Sequence, residues 1–174
     1  SATPHYSYLK EILDLDIDED VIEMPSFNPS QYQIQFVDYQ EDDHSTNPFY
    51  QTYHDKTFVI SNTAQTAQLG FLLQKNHENN VLFHSKFKRS DKKRWFNEVY
   101  ESFKKEGSEK YDVLRSGPIV QASLNISCDQ MLSEMSSPEN ILQRLGRLDR
   151  FGENQKINIL TIALSEYIKT GKQT

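Results

Sequence analysis

The stretch that decides this sequence is an octet near its carboxyl end, Gln143-Arg144-Leu145-Gly146-Arg147-Leu148-Asp149-Arg150. On a helix, Gln143, Arg147 and Arg150 would be separated by four and then three residues, so they would share one face. Guanidinium groups on one face suit a ligand with several anionic oxygens, such as a polyphosphate. A glycine inside a helix costs roughly 1 kcal/mol relative to alanine, so Gly146 predicts a close approach there. The structural alternative is an arginine-rich helix end that only complements the helix dipole.

The composition places limits on the partners of the chain. Its 174 residues are 36% hydrophobic and 25% charged, which is enough for one globular domain with a core. The formal net charge of −6 argues against binding of nucleic acid over the whole surface. A local groove remains compatible with that charge, because the basic residues are concentrated at positions 86–94 and 144–150.

The number and spacing of the cysteine and histidine residues limit which cellular compartment and which cofactors are expected. Cys128 is the only cysteine, so no intrachain disulfide forms and a reducing cytoplasm is expected. The five histidines show no metal-ligand spacing, so we predict no metal site on this chain. No apolar run has membrane-spanning length and no signal peptide is present, so no membrane partner is expected. Because the first residue is Ser1 and not Met, we expect an excised fragment of a longer protein, with a processed product as the alternative.

The sequence predicts strands and helices that alternate along the chain. Short apolar runs predict strands at 32–37 (half-buried), 57–61, 81–84, 119–124, 128–134 and 156–162. Helices are predicted from Asn62-Thr63 to about 76, from a cap at Ser90 or Asp91 to about 105, and from Ser137-Pro138 through the octet to Phe151-Gly152. The alternation predicts an α/β fold in which a parallel sheet carries helices on its faces.

The octet also carries a family likeness. QRLGRLDR resembles motif VI of superfamily 2 helicases, the QRxGRxxR element of their second RecA-like domain. The segment at 58–63, FVISNT, followed by Ala67-Gln68, is similar to the strand and Asn-Thr turn that open that domain. The resemblance implies a RecA-like parallel sheet with helices on both faces.

Two further segments favour one branch of the superfamily. Residues 82–87, LFHSKF, with Asp91 and Arg94, are similar to the "LHSRF…D..R" element of the CRISPR-associated helicase–nuclease of type I systems. Residues 119–126, IVQASLNI, with Asp129, resemble the motif V of the same family, usually "vvEaSLDId.D". The likeness covers roughly residues 57–163.

The resemblance also divides the chain. Ser1-Ala2-Thr3-Pro4 is similar to motif III, the "SAT" that closes the first RecA-like domain. We therefore expect residues 1–30 to hold the end of the first RecA-like domain and an acidic linker, and residues 31–174 to form the second RecA-like domain.

The resemblance implies an ATP site that this chain completes from one side only. Such helicases bind ATP between two RecA-like domains, and the first domain supplies the phosphate loop and the acidic Mg²⁺ ligands. The chain contains no GxxxxGK[ST], so the fragment alone is expected to be inactive. The implied nucleotide-facing residues are the arginine finger Arg150, Arg147 and Gln143 at the γ-phosphate, and Asn125, where the family usually has Asp. We assign Arg144 to a structural ion pair with Glu134 or Asp129.

Single-stranded DNA is expected to cross the domain through backbone contacts. The resemblance implies contacts from Asn62, Thr63, His84, Ser85, Lys86 and Ser123. Each has a structural alternative: Asn62-Thr63 as a helix cap, His84 as a packed or capping histidine, and the lysines as a solvated face.

The predicted function is the second RecA-like domain of an ATP-dependent DNA helicase of type I CRISPR antiviral defence. Its expected partners are the CRISPR surveillance (Cascade-type) complex, and the first RecA-like domain and histidine-aspartate (HD) nuclease domain outside this chain. One alternative is another superfamily 2 helicase, acting on RNA or in repair. The other is a degenerate partner-docking module without ATP coupling, suggested by the altered motif V.

Overall fold

The computed structural model describes residues 29–74, 79–118 and 125–166, together with Glu11, Asp14 and Ile168. Its strands are β1 (Tyr32–Tyr39), β2 (Thr57–Ile60), β3 (Asn80–Phe83), β4 (Val113–Ser116), β5 (Gln130–Glu134) and β6 (Asn158–Ser165). Its α-helices are α1 (Ala64–Leu73), α2 (Arg89–Phe103) and α3 (Pro138–Leu145), and Pro48–Tyr50 form a 3₁₀ turn. The motif III likeness and the strand predicted at 119–124, with Ser123, lie outside the described residues.

The six strands form one parallel sheet, in the order β1-β6-β5-β2-β4-β3. This confirms the predicted α/β, RecA-like class. All four residues of β2 and all four of β4 are buried, as expected for central strands of a parallel sheet covered on both faces. Alternate residues of β2 face opposite sides, so each side of the sheet has its own core. One core includes Phe58, Leu114, Met131 and Leu160, and the other includes Val59, Val113, Leu132 and Ala163.

The strand predicted to be half-buried at 32–37 is present as β1, but most of it is exposed. Ile34 is 47% exposed and Phe36 is 62% exposed. The reason is that β1 is the edge strand of the described sheet, where it pairs with β6 on one side, and alternation in the sequence does not reveal whether a face is covered. Leu72, on α1, is likewise 59% exposed.

The starts of the helices agree with the sequence in two cases out of three. Thr63 caps α1, since its side chain accepts a hydrogen bond from the N–H of Thr66 at 3.2 Å. Ser137 caps α3 with Pro138 in its first turn, as predicted. The cap of α2 was predicted wrongly: the helix begins at Arg89, so Ser90 and Asp91 lie inside it, and Lys88 makes no side-chain capping bond.

A buried arginine attaches the chain after β1 to the sheet. Arg115, on β4, is 1% exposed, and it donates to Oδ1 of Asn80 at 3.0 Å and to the carbonyls of Phe49 at 2.7 Å and Gln51 at 2.6 Å. Burial lowers the pKa of Arg115 to about 10, so the guanidinium stays charged at neutral pH. Gly70 packs beside this contact, where a Cβ would lie 2.4 Å from the Phe49 oxygen.

Candidate functional site

The octet is not one continuous helix, so the prediction of a shared helical face for Gln143, Arg147 and Arg150 is wrong. Helix α3 ends at Leu145 and Gly146 is its C-cap, with φ −64°. A Cβ on Gly146 would meet only backbone oxygens at 3.5 Å and 3.7 Å, so the close approach expected there does not occur among the described residues. Residues 146–150, which we call the arginine loop, leave the helix and carry Arg147 and Arg150.

The arginine loop is held against the segment that precedes β5. Leu148 is fully buried and forms a parallel bridge with Cys128. The N–H of Cys128 donates to the carbonyl of Arg147 at 3.0 Å, and the N–H of Asp149 donates to the carbonyl of Cys128 at 2.8 Å. The N–H of Arg150 donates to Oγ of Ser127 at 2.9 Å. Burial of Leu148 therefore explains why the helix stops early, since tertiary packing overrides helical periodicity here.

Arg147 and Arg150 form a concentrated positive charge. Arg147 is only 9% exposed, and its Nε has no hydrogen-bond partner among the described residues. Burial lowers the pKa of Arg147, and the positive charge of Arg150 lowers it further. In the described part of the chain, neither guanidinium forms an ion pair with a carboxylate. A desolvated guanidinium without an ion pair, close to a second positive charge, is chemically suited to bind an anion.

The structure brings the predicted nucleotide residues Arg150 and Asn125 together. The exposed Arg150 donates through Nε to Oδ1 of Asn125 at 2.5 Å, and through Nη1 to the carbonyl of Gly146 at 3.1 Å. Gln143 lies half-buried on the last turn of α3, at the base of the arginine loop.

Arg144 is structural, as expected, but it contacts the predicted partner Glu134 through the backbone carbonyl and not through an ion pair. It is 1% exposed and donates to Oγ of Ser133 at 2.8 Å, to the carbonyl of Glu134 at 2.9 Å and to Oδ1 of Asn62 at 3.0 Å. Within the described ranges it forms no ion pair with Glu134 or Asp129, so the predicted contact is wrong in detail. Burial raises the pKa of the Glu134 carboxyl, although the N–H of Asn62 and the charge of Arg144 lower it.

Two of the predicted nucleic-acid residues are engaged inside the fold. The N–H of Asn62 donates to Glu134 at 2.6 Å, and its Nδ2 donates to the carbonyl of Met135 at 2.7 Å. His84 is 3% exposed; its Nε2 lies 2.9 Å from Nε2 of Gln68, and its Nδ1 accepts from the N–H of Lys86 at 3.1 Å. Burial lowers the pKa of His84, and so does the charge of Lys86.

The other predicted nucleic-acid residues that the structure describes are exposed to solvent. Thr63, Ser85 and Lys86 are exposed at the carboxyl ends of β2 and β3. The arginine loop lies instead at the amino end of β5, so the two predicted sets occupy opposite ends of the parallel strands. Arg144 connects them, because it belongs to the helix that leads into the loop while its guanidinium contacts Asn62.

Sequence reasoning missed Asp149, which lies between the two arginines. Asp149 is 3% exposed and has φ 46°, in the left-handed region. Its carboxylate accepts hydrogen bonds from the N–H groups of Glu153 at 2.9 Å and Asn154 at 3.1 Å, and from Nδ2 of Asn158 at 3.2 Å. The available signal was an acidic residue enclosed between two arginines.

The described residues contain no group of three or more histidine, cysteine, aspartate or glutamate side chains able to hold a metal ion. No helix in the described part of the chain has the length and apolar character needed to cross a membrane.

Comparison with known proteins agrees with these motifs. The family of the CRISPR-associated nuclease/helicase Cas3, C-terminal, matches residues 53–153. A putative CRISPR-associated nuclease/helicase Cas3 of Methanocaldococcus jannaschii is 30% identical over 102 residues, which are 58% of this chain and 14% of that relative.

Two solved structures share the fold. The T. fusca Cas3-ADP structure superposes with a TM-score of 0.72 at 19% identity, over 86% of this chain and 20% of that one. A CRISPR RNA-guided surveillance complex in a pre-nicking state contains a chain with a TM-score of 0.67 at 21% identity, over 86% of this chain and 21% of that one. The chain thus spans only about a seventh of the curated relative and a fifth of these structures.

Proposed function

The chain belongs to the family of C-terminal domains of the CRISPR-associated nuclease/helicase Cas3, and we propose that it is the second RecA-like domain of an ATP-dependent DNA helicase of type I CRISPR antiviral defence. The observation that carries the proposal is the pair of guanidinium groups on the arginine loop. Arg147 is buried and its Nε is unpartnered among the described residues, while Arg150 beside it is exposed. Such a pair is suited to the anionic oxygens of a phosphoryl group.

ATP, with Mg²⁺, would be held mainly by the first RecA-like domain outside this sequence, and its phosphoanhydride bond supplies the energy for movement. From this chain, Arg150 is the arginine finger that neutralises charge on the transferring phosphoryl group. Fingers of this kind contribute about 10³–10⁵ in rate. Arg147 contacts the same phosphoryl group at a second position, and Gln143 supports both arginines from the end of α3. Asn125 orients Arg150 through the contact at Nε.

Single-stranded DNA would run along the carboxyl ends of β2 and β3. Thr63, Ser85 and Lys86 are exposed there and can contact phosphates directly. Asn62 and His84 are engaged internally, so we assign them to shaping the turns that present these groups. A DNA contact from Ser123 is supported by the resemblance alone.

We further propose that the intact protein works in the cytoplasm with a Cascade-type CRISPR surveillance complex and delivers DNA to an HD nuclease domain. The presence of a similar chain in a surveillance complex supports that partner. Cas3 relatives named as nuclease/helicases support the pairing with a nuclease.

Substitution of Arg150 in the full-length protein tests this function. We expect Arg150→Ala to abolish ATP turnover stimulated by single-stranded DNA, because the charge at the phosphoryl group is lost. The affinity for single-stranded DNA, measured by fluorescence anisotropy without nucleotide, should stay close to that of the wild type, because the DNA contacts lie at the other end of the strands. Retained turnover in this variant would refute the finger assignment.

A degenerate docking module is the second candidate, and one observation favours it. Position 125 carries an uncharged Asn that is bound to Arg150, where the family usually has Asp. A full-length protein that binds the surveillance complex, yet shows no DNA-stimulated ATP turnover, would support this candidate over the helicase.

A further inference from the structure

A single carboxylate organises the turn that follows the arginine loop. One oxygen of Asp149 accepts from the N–H groups of Glu153 and Asn154, and the other accepts from Oγ of Ser30 and from Nδ2 of Asn158. Four donors therefore meet one buried carboxylate, which satisfies a charge that would otherwise be costly to bury.

The same carboxylate ties the arginine loop to the sheet. Ser30 comes just before β1, and Asn158 is the first residue of β6. Asn158 in turn donates through its N–H and its Nδ2 to the carbonyl of Gln31, at 2.8 Å and 3.2 Å. The loop is thus anchored on two strands as well as on the segment that precedes β5.

Asp149 also adopts an unusual backbone conformation between the two arginines. Its φ of 46° places a left-handed residue between Arg147 and Arg150, and the N–H of Gly152 donates to its carbonyl at 2.9 Å, which closes a turn over residues 149–152. Asp and Asn are among the few residues other than Gly that enter the left-handed region readily. A residue such as Ala at this position would lose the carboxylate and would also be strained.

We propose that Asp149 is the positioning residue of the arginine loop: it holds Arg147 and Arg150 at the separation at which both can contact one phosphoryl group. This inference rests on the proposed function of the loop. Asp149 touches no ligand itself and acts only through the two arginines. Because misplacement of a catalytic group by about 1 Å can cost roughly 10²-fold in rate, such positioning has a measurable effect.

The test compares Asp149→Ala, Asp149→Gly and Asp149→Asn in the full-length protein. Asn keeps the left-handed preference and an acceptor for the N–H groups of Glu153 and Asn154, whereas Gly keeps only the backbone freedom. We expect kcat for DNA-stimulated ATP turnover to fall about 10²-fold for Ala and Gly, with KM for ATP nearly unchanged, and to recover largely in the Asn variant. Asp43→Ala is the matched control, since Asp43 is also a loop aspartate that binds a local N–H and two hydroxyls, and it follows β1 at its far end.

A second readout does not depend on turnover. Hydrogen exchange of the peptide that contains residues 153 and 154 should become faster in the Ala and Gly variants and remain slow in the Asn variant and in the Asp43→Ala control. If the Ala variant fails to fold, the comparison of Gly with Asn decides the question. Equal kcat in the Gly and Asn variants, or unchanged exchange in the Gly variant, would overturn the inference. Should Arg150→Ala retain full turnover, the proposed function itself fails, whatever the Asp149 variants do.

Discussion

Replacing Arg144 with Ala should destabilise the domain strongly. The substitution removes a guanidinium that is 1% exposed and leaves three acceptors without their donor: Oγ of Ser133, the carbonyl of Glu134 and Oδ1 of Asn62. It also removes the positive charge that favours the ionised form of the half-buried Glu134 carboxyl. Leaving one buried acceptor without its donor costs about 1–3 kcal/mol, so the loss of three such contacts is expected to cost about 3–5 kcal/mol in all. We expect a loss in the free energy of unfolding within this range.

Equilibrium urea unfolding of the 174-residue chain measures the effect. With an m-value of about 2 kcal/mol/M, a loss of about 4 kcal/mol lowers the midpoint by about 2 M. Arg144→Lys should recover only part of the loss, because an ammonium cannot reproduce the planar fork. Arg150→Ala is the matched control, since Arg150 is exposed and its loss should cost less than about 1 kcal/mol. If the midpoint of Arg144→Ala falls no further than that of Arg150→Ala, the buried network does not stabilise the fold as argued.

Two further predictions concern packing and pH. Gly70→Ala should lower the free energy of unfolding by about 1–3 kcal/mol, because its Cβ would lie 2.4 Å from the Phe49 oxygen. Calorimetry checks this against the control Gln65→Ala, which lies at an exposed position of α1. Equal melting temperatures of the two variants would contradict the prediction. Because burial lowers the pKa of His84, the unfolded chain binds the proton more readily, and this contribution to stability is lost as pH falls below about 6.5. His84→Gln should therefore lose less stability than the wild type between about pH 7.5 and pH 5.5 in urea unfolding, whereas parallel losses would contradict it.

The elements that could be predicted are those whose signal is local. Strands β2, β3 and β6 and the starts of α1 and α3 follow from short apolar runs and from capping residues. Strand β4 was missed because it contains only two apolar residues and an arginine, Val113-Leu114-Arg115-Ser116, after a charged turn. Arg115 is compatible with a central strand only because Asn80 and two carbonyls from residues 49–51 satisfy it. Those partners are 35 to 66 positions away, and no local pattern reveals them.

The candidate site, like the fold, was predictable only where its signal is local in the sequence. The octet contains the residues that we propose to bind an anion, but helical spacing predicted the wrong geometry, because Leu148 lies outside the helix and packs beside Cys128. Once the loop is released from helical geometry, its shape has to be set by other contacts. Asp149 supplies them through partners that include Ser30, 119 positions earlier in the chain. The arrangement of Arg147 and Arg150 therefore depends on the completed β1–β6 edge of the sheet, so a substitution at that edge can alter the arginine loop without touching either arginine.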